Sequence, residues 1–257
     1  MKSKKSKRND LRQAGAGFRV VEEARRLTNK VFAEAHSPES PSRLVGKLVS
    51  LADALVEQEK ERNPPQSQIM CRAGCAHCCH MRVLVTAPEA LILAEFIREN
   101  LSPNELSDIK KKIGQTSELA ARMTDAEYSS AGLACPLLVD SMCSVYEARP
   151  MECRGYVSMS VEACERAADN YDDWNVPVYL EQYSIFKNVQ IGLLHSMAIS
   201  DLPCELLEMS AALTIALDTP DAADRWLAGE NVFGSAAIRS DDPEAMAIQP
   251  WSPTFWS

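Results

Sequence analysis

Four cysteines stand within nine residues in the run Cys71-Arg-Ala-Gly-Cys75-Ala-His-Cys78-Cys79-His80, and any fold of this chain has to accommodate them. A second group follows after a gap: Cys135-Pro-Leu-Leu, then Cys143-Ser-Val-Tyr-Glu-Ala-Arg149-Pro150-Met-Glu-Cys153-Arg154, with Cys164 eleven residues on. A buried cysteine can serve as a small hydrophobe, but that use explains one or two positions and not eight. Redox compartment decides between disulfides and metal. The basic start, Met1 to Arg8, runs into polar Asn9, Asp10, Arg12 and Gln13 where a secretory signal needs an apolar stretch, so no export is expected. The expected location is cytoplasmic, with no membrane partner, since no apolar run approaches the length of a span. Thiols there stay reduced, and their clustering points to metal or redox chemistry.

Short gaps such as Cys75-x2-Cys78 let two sulfurs reach one ion from a tight turn, and Gly74 permits the positive φ such turns demand. The second group can complete the coordination sphere and tie two parts of the fold together. The candidate metal ligands are therefore Cys71, Cys75, Cys78, Cys79, Cys135, Cys143, Cys153 and Cys164. Soft thiolates favour zinc or iron over magnesium or calcium; eight of them supply two four-sulfur zinc sites, or one iron–sulfur cluster with ligands to spare. Arg72, Arg82, Arg149 and Arg154 are placed to ease the thiolate charge, or are solvated surface residues. Neighbouring side chains in extended or turn backbone diverge, so Cys78 and Cys79 read either as ligands to different metals or as one ligand and one spare reactive thiol. His77 and His80 are ligands or polar residues at the rim. Cys204, alone at the start of a helical segment, reads as packing; Glu89 reads as a helix cap, and Glu147 and Glu152 as a charged surface, none with a catalytic role.

The rest of the chain reads as mainly α: an irregular helical domain with a small β-hairpin and a Cys-rich metal site. Val20, Ala24, Leu27 and Val31, and then Leu44, Leu48, Leu51 and Leu55, recur at helical steps. Ser40-Pro41 separates the two helices, and Asn63-Pro64-Pro65 ends the second. Thr86-Ala-Pro-Glu89 and Ser102-Pro-Asn-Glu105 are capping boxes that open two more. Residues 126–134 read as a loop, and 137–146 as a tight hairpin turning at Asp140-Ser141. Helices are expected over 161–169, about 178–198, 204–217 and 220–229, with an irregular tail from Asp241. The expected organisation is a disordered basic tail at 1–12, a helical hairpin at 13–65, a cysteine-cluster domain at 66–175, and a helical extension at 176–257 packed on the same core. The formal charge of −9 over 257 residues argues against nucleic acid as a partner.

The cysteine pattern resembles the YkgJ family of cysteine-cluster proteins, the CxxCxxCC zinc- or iron-chelating domain. The resemblance rests on Cys71, Cys75, Cys78 and Cys79, on the Thr86-x-x-Glu89 helix start, on Cys135-Pro-Leu-Leu, on Cys143-Ser-Val-Tyr-Glu-Ala-Arg-Pro and on Cys153-Arg, and covers about residues 71–165. The first spacing departs from it, being Cys-x3-Cys where the family name has Cys-x2-Cys. The resemblance implies chelation of zinc or iron, an iron–sulfur cluster included. The domain also occurs in flagellin lysine N-methylases, which makes a metal-dependent redox or protein-modifying enzyme the alternative, although no glycine-rich nucleotide or S-adenosylmethionine loop, and no P-loop, is visible. A metal-free thiol redox sensor is the third reading. The metal ion is the one partner read from the sequence; no protein partner and no catalytic residue can be named.

Overall fold

A computed structural model describes residues 4–34, 40–169 and 175–238. In chain order the elements are α1 (Lys4–Glu34), α2 (Ser40–Arg62), β1 (Leu84–Val85), α3 (Ala87–Asn100), α4 (Pro103–Ala120), α5 (Asp125–Ser130), β2 (Leu138–Val139), β3 (Met142–Cys143), α6 (Met151–Gly155), α7 (Val161–Asp169), α8 (Leu180–Ile199), β4 (Leu207–Glu208), α9 (Met209–Asp218) and α10 (Ala222–Leu227). The fold is mainly α with a small hairpin, β2–β3, as the sequence predicts, and among the described residues it adds a second antiparallel strand pair, β1–β4. Helix α1 begins at Lys4, inside the stretch whose basic composition predicts a tail. The irregular segment expected from Asp241 lies outside the described residues. Among the described residues, no helix is long and apolar enough to cross a membrane.

Helix α8 is the centre of the packing. Ile185, Phe186, Val189, Ile191, Leu193, Leu194 and Met197 are all buried, so apolar residues cover most of its circumference, the signature of a helix enclosed by others. Helices α1, α2 and α6 pack against it; α3 bridges α2 and α9, and α4 lies on α9. The approach of α1 is close at Gly192, where a Cβ would stand 2.6 Å from both the Ala24 Cβ and the Val21 carbonyl oxygen. Val21, Ala24, Thr28 and Val31 form the buried stripe that α1 turns toward it.

Local signals behave as their chemistry requires. The boxes at Thr86–Glu89 and Ser102–Glu105 both close. At the hairpin tip Asp140 and Ser141 have φ of 49° and 62°, the left-handed pair that a two-residue turn between strands needs. Residues 126–134, read as a loop, are partly helical instead. Thr124 and Glu127 form a third capping box, the Glu127 carboxylate accepting from the Thr124 N–H (2.8 Å) and hydroxyl (2.9 Å), and α5 follows from it. The helix expected from residue 204 starts at Met209, because Leu207–Glu208 first pairs with Leu84–Val85 and the Glu208 side chain then caps α9 through the Ser210 and Ala211 N–H groups. That strand pair joins the cysteine-bearing part of the chain to its C-terminal part.

Candidate metal centre

The first cysteine run folds as successive tight turns, with N–H bonds from Cys75 to the Arg72 carbonyl, from Cys79 to Ala76 and from Met81 to Cys78. Gly74 takes φ of +86°, and its Cα faces the Met142 sulfur of the β2–β3 hairpin. The second group meets this run along the backbone: the Cys135 N–H donates to the Cys79 carbonyl at 2.7 Å, and Met70 N–H to the Ser158 carbonyl at 2.9 Å. Two segments more than fifty residues apart thus share one site.

Cys78 is the thiol whose charge reaches most of the others. It bears on Cys71 and Cys164 and on Cys135, Cys143 and Cys153, while Cys75 bears on Cys71 and Cys164. The Cys78 and Cys79 thiols interact, and Cys79 is the largest cause of the upward push on Cys78. None of the eight candidate cysteines is in a disulfide, and Cys153 is the most enclosed of those whose thiols burial shifts. Among the described residues, no three His, Cys, Asp or Glu side chains lie close enough to hold one ion, so the group is a gathering of donors and not a formed coordination sphere.

Its chemistry suits anionic sulfur. The Ser158 N–H donates to the Cys71 Sγ at 3.1 Å, and the backbone at Leu137 and Val145 favours the ionised forms of Cys135 and Cys143. The Ser158 hydroxyl is in hydrogen-bonding reach of Cys164. Donors aimed at sulfur stabilise the thiolate. Against them, burial pushes the thiols of Cys71, Cys143 and Cys164 up, raises Cys135 to about 12, and raises the fully enclosed Cys153 well above the ordinary value. Cys78 is raised first by its bond to Cys79 and then by burial. A cation among these sulfurs would remove that penalty, and the donor set fits a soft one.

Three of the four arginines separate by position. Arg149 faces Cys78 and Cys143 while stacking 3.9 Å over the Tyr146 ring, and Arg154 lies near Cys153 with its guanidinium on the Arg149 and Glu147 carbonyls. Arg82 is used elsewhere, its guanidinium on the Ala120 and Met123 carbonyls at the end of α4 and beside the Tyr128 ring. His77 Nε2 stands 3.6 Å from the Glu165 carboxylate of α7, and His80 Nδ1 is 3.4 Å from the His77 carbonyl oxygen. Cys204 packs on the patch of Leu84, Leu194 and Leu206, away from the group.

Two residues that the sequence reading passes over, Ser158 and Tyr156, and one that it assigns to a charged surface, Glu152, also shape the site. Ser158 is buried and serves Cys71 and Cys164. Tyr156 lies close to Cys164, Cys78 and Cys71, its phenol pushed up by burial and then by those thiols. Glu152 is not a surface charge: it is mostly covered and ion-paired with Lys187 at 2.8 Å. Burial pulls the Lys187 ammonium down, but Glu152, Tyr183 and Glu89 outweigh it, so its pKa is raised. Only Ser158 and Tyr156 carry a sequence signal, their closeness to Cys153 and Cys164.

No curated protein and no solved structure matches this chain. A family model does match, over residues 70–175, the segment that contains all eight converging thiols: CxxCxxCC, "Putative zinc- or iron-chelating domain". Residues 70–175 are thus similar to the CxxCxxCC family, whose description is that of a zinc- or iron-chelating domain.

Proposed function

We propose that the chain holds zinc or iron through the thiolates of Cys71, Cys75, Cys78, Cys79, Cys135, Cys143, Cys153 and Cys164, in a structural or carrier role. The observation that supports this reading is the backbone contact that joins the two cysteine segments, the Cys135 N–H on the Cys79 carbonyl, with thiols of both electrostatically coupled to Cys78 and the Ser158 N–H directed at the Cys71 sulfur. Core packing asks nothing of this kind from a cysteine, whereas thiolate ligation uses both the convergence and the N–H donors. The matched domain supports the same class of ligand.

When bound, the metal supplies the positive charge that lets buried thiols ionise. The chain's own contribution is placement: the turns at Cys75 and Cys78 present sulfurs from one loop, the β2–β3 hairpin presents Cys143, α6 presents Cys153 and α7 presents Cys164. The backbone segments already meet, so the side chains that would hold an ion are supplied from both of them. An iron–sulfur centre is the finer alternative within this reading.

Anaerobic purification, metal analysis and a visible spectrum test it. Stoichiometric zinc in a colourless protein, or iron with labile sulfide in a brown one, is the expected result. Reduced protein that takes up neither metal nor cluster would overturn the proposal.

A further inference from the structure

The capping box explains only half of what Glu89 does. Its side chain is 1% exposed; Oε2 accepts from the Thr86 N–H and hydroxyl, both at 2.9 Å, and from Gln190 Nε2 at 3.1 Å. Oε1 turns away from the cap and accepts from the Met151 N–H at 2.8 Å, sixty-two residues along the chain. A second bond crosses between the same segments in the opposite sense: the Leu84 N–H donates to Glu152 Oε2 at 3.3 Å. Leu84 and Glu89 lie just after the first cysteine run, and Met151 and Glu152 stand immediately before Cys153.

Both carboxylates are then held from behind by α8. Gln190 reaches Glu89, and Lys187, one turn earlier on that helix, reaches Glu152 Oε1 at 2.8 Å. Gln190 is fully buried, and its Oε1 has no donor. A buried amide that leaves its oxygen unpaired is disfavoured unless its other end is needed, and the other end serves Glu89. Helix α8 lies outside the matched segment, which ends at residue 175.

We infer that Glu89 and Glu152 are positioning residues of the metal centre, a two-way clasp that α8 locks through Gln190 and Lys187 and that holds Cys153 against the first cysteine run. The inference rests on the chelation reading and adds to it: ligand geometry, and with it metal affinity, is set partly by a helix beyond the chelating domain. Partners of this outer kind orient ligands without touching the ion.

Cobalt(II) titration of the reduced, metal-free full-length chain, followed by its thiolate charge-transfer and d–d absorption and by chelator competition, tests this. Glu152→Ala removes both bonds of its carboxylate and is expected to weaken cobalt binding by about 10–100-fold and to alter the d–d bands. Glu152→Gln keeps an acceptor for Leu84 and is expected to recover part of that loss. It also carries the test should the alanine variant fail to fold. Ile113→Val, in the remote α4–α9 packing, lowers stability without touching the clasp and is expected to leave affinity unchanged. If wild type binds cobalt and Glu152→Ala binds it equally tightly with the same spectrum, the clasp is merely structural and the inference falls. Equal weakening in Ile113→Val overturns it as well. A wild-type protein that binds no cobalt removes the chelation reading itself, a separate and recognisable outcome.

Discussion

Replacing Gly192 by alanine in α8 sets two well-known effects against each other. In an exposed helix interior the change stabilises by about 1 kcal/mol, because glycine has more backbone freedom to lose. Here the added Cβ would stand 2.6 Å from the Ala24 Cβ and 2.6 Å from the Val21 carbonyl oxygen, with the Arg25 nitrogen at 3.3 Å. The oxygen belongs to the backbone of α1, so a rotamer change cannot relieve the contact; α1 must retreat by about 1 Å, loosening contacts along the interface. Overpacking of this kind costs about 1–3 kcal/mol, and a rigid backbone neighbour places it at the upper end. The net expectation is a loss of about 2 kcal/mol, seen as a melting temperature lower by about 4–8 °C for a chain of this size. Gly46, exposed in α2 with nothing within 4 Å of its would-be Cβ, is the control, and Gly46→Ala is expected to gain about 0.5–1 kcal/mol. Thermal and urea unfolding of the two variants beside wild type measure both signs. If Gly192→Ala melts at or above wild type, in step with Gly46→Ala, the close α1–α8 crossing is not present in the protein.

Other expectations follow from the site and the turn. Cys78→Ser should remove most bound metal, because Cys78 lies within reach of thiols from both segments, whereas Cys204→Ser should leave metal content unchanged in the same elemental analysis. The buried thiols of Cys71, Cys135, Cys143, Cys153 and Cys164 all titrate above the ordinary value of 9.0, so the folded, metal-free chain retains protons that the unfolded chain gives up. Its stability should therefore be fully present below about pH 8.5 and fall as pH rises past that value, and a urea midpoint that increased from pH 8 to 10 under reducing, chelating conditions would contradict this. Asp140→Asn with Ser141→Gly should raise the melting temperature by a few degrees, about 0.5–1 kcal/mol, since both positions have positive φ.

Much of the local structure was legible in the sequence because its causes are local. Thr86–Glu89 and Ser102–Glu105 close their bonds within three residues, and the Asp140-Ser141 turn joins strands only two residues long. The cysteine spacing alone named the donor chemistry. The same kind of signal at Thr124–Glu127 was passed over, as the small polar residues after it outweighed the cap.

What the amino-acid sequence determined by itself, then, was a set of helices, one hairpin and a supply of thiols. Tertiary structure alone decided that Cys135 meets Cys79, that Leu84–Val85 pairs with Leu207–Glu208, and that Glu89 and Glu152 reach across to Met151 and Leu84. These partners are separated by tens of residues, and one side chain at such a distance leaves no periodicity or spacing to read. Glu152 shows the difference: beside Cys153 in the sequence it is one more acidic residue, and only the burial of α8 beside it turns it into the partner of Lys187. A buried charge takes its meaning from whatever the fold places against it, and that choice is made by the packing of the whole chain.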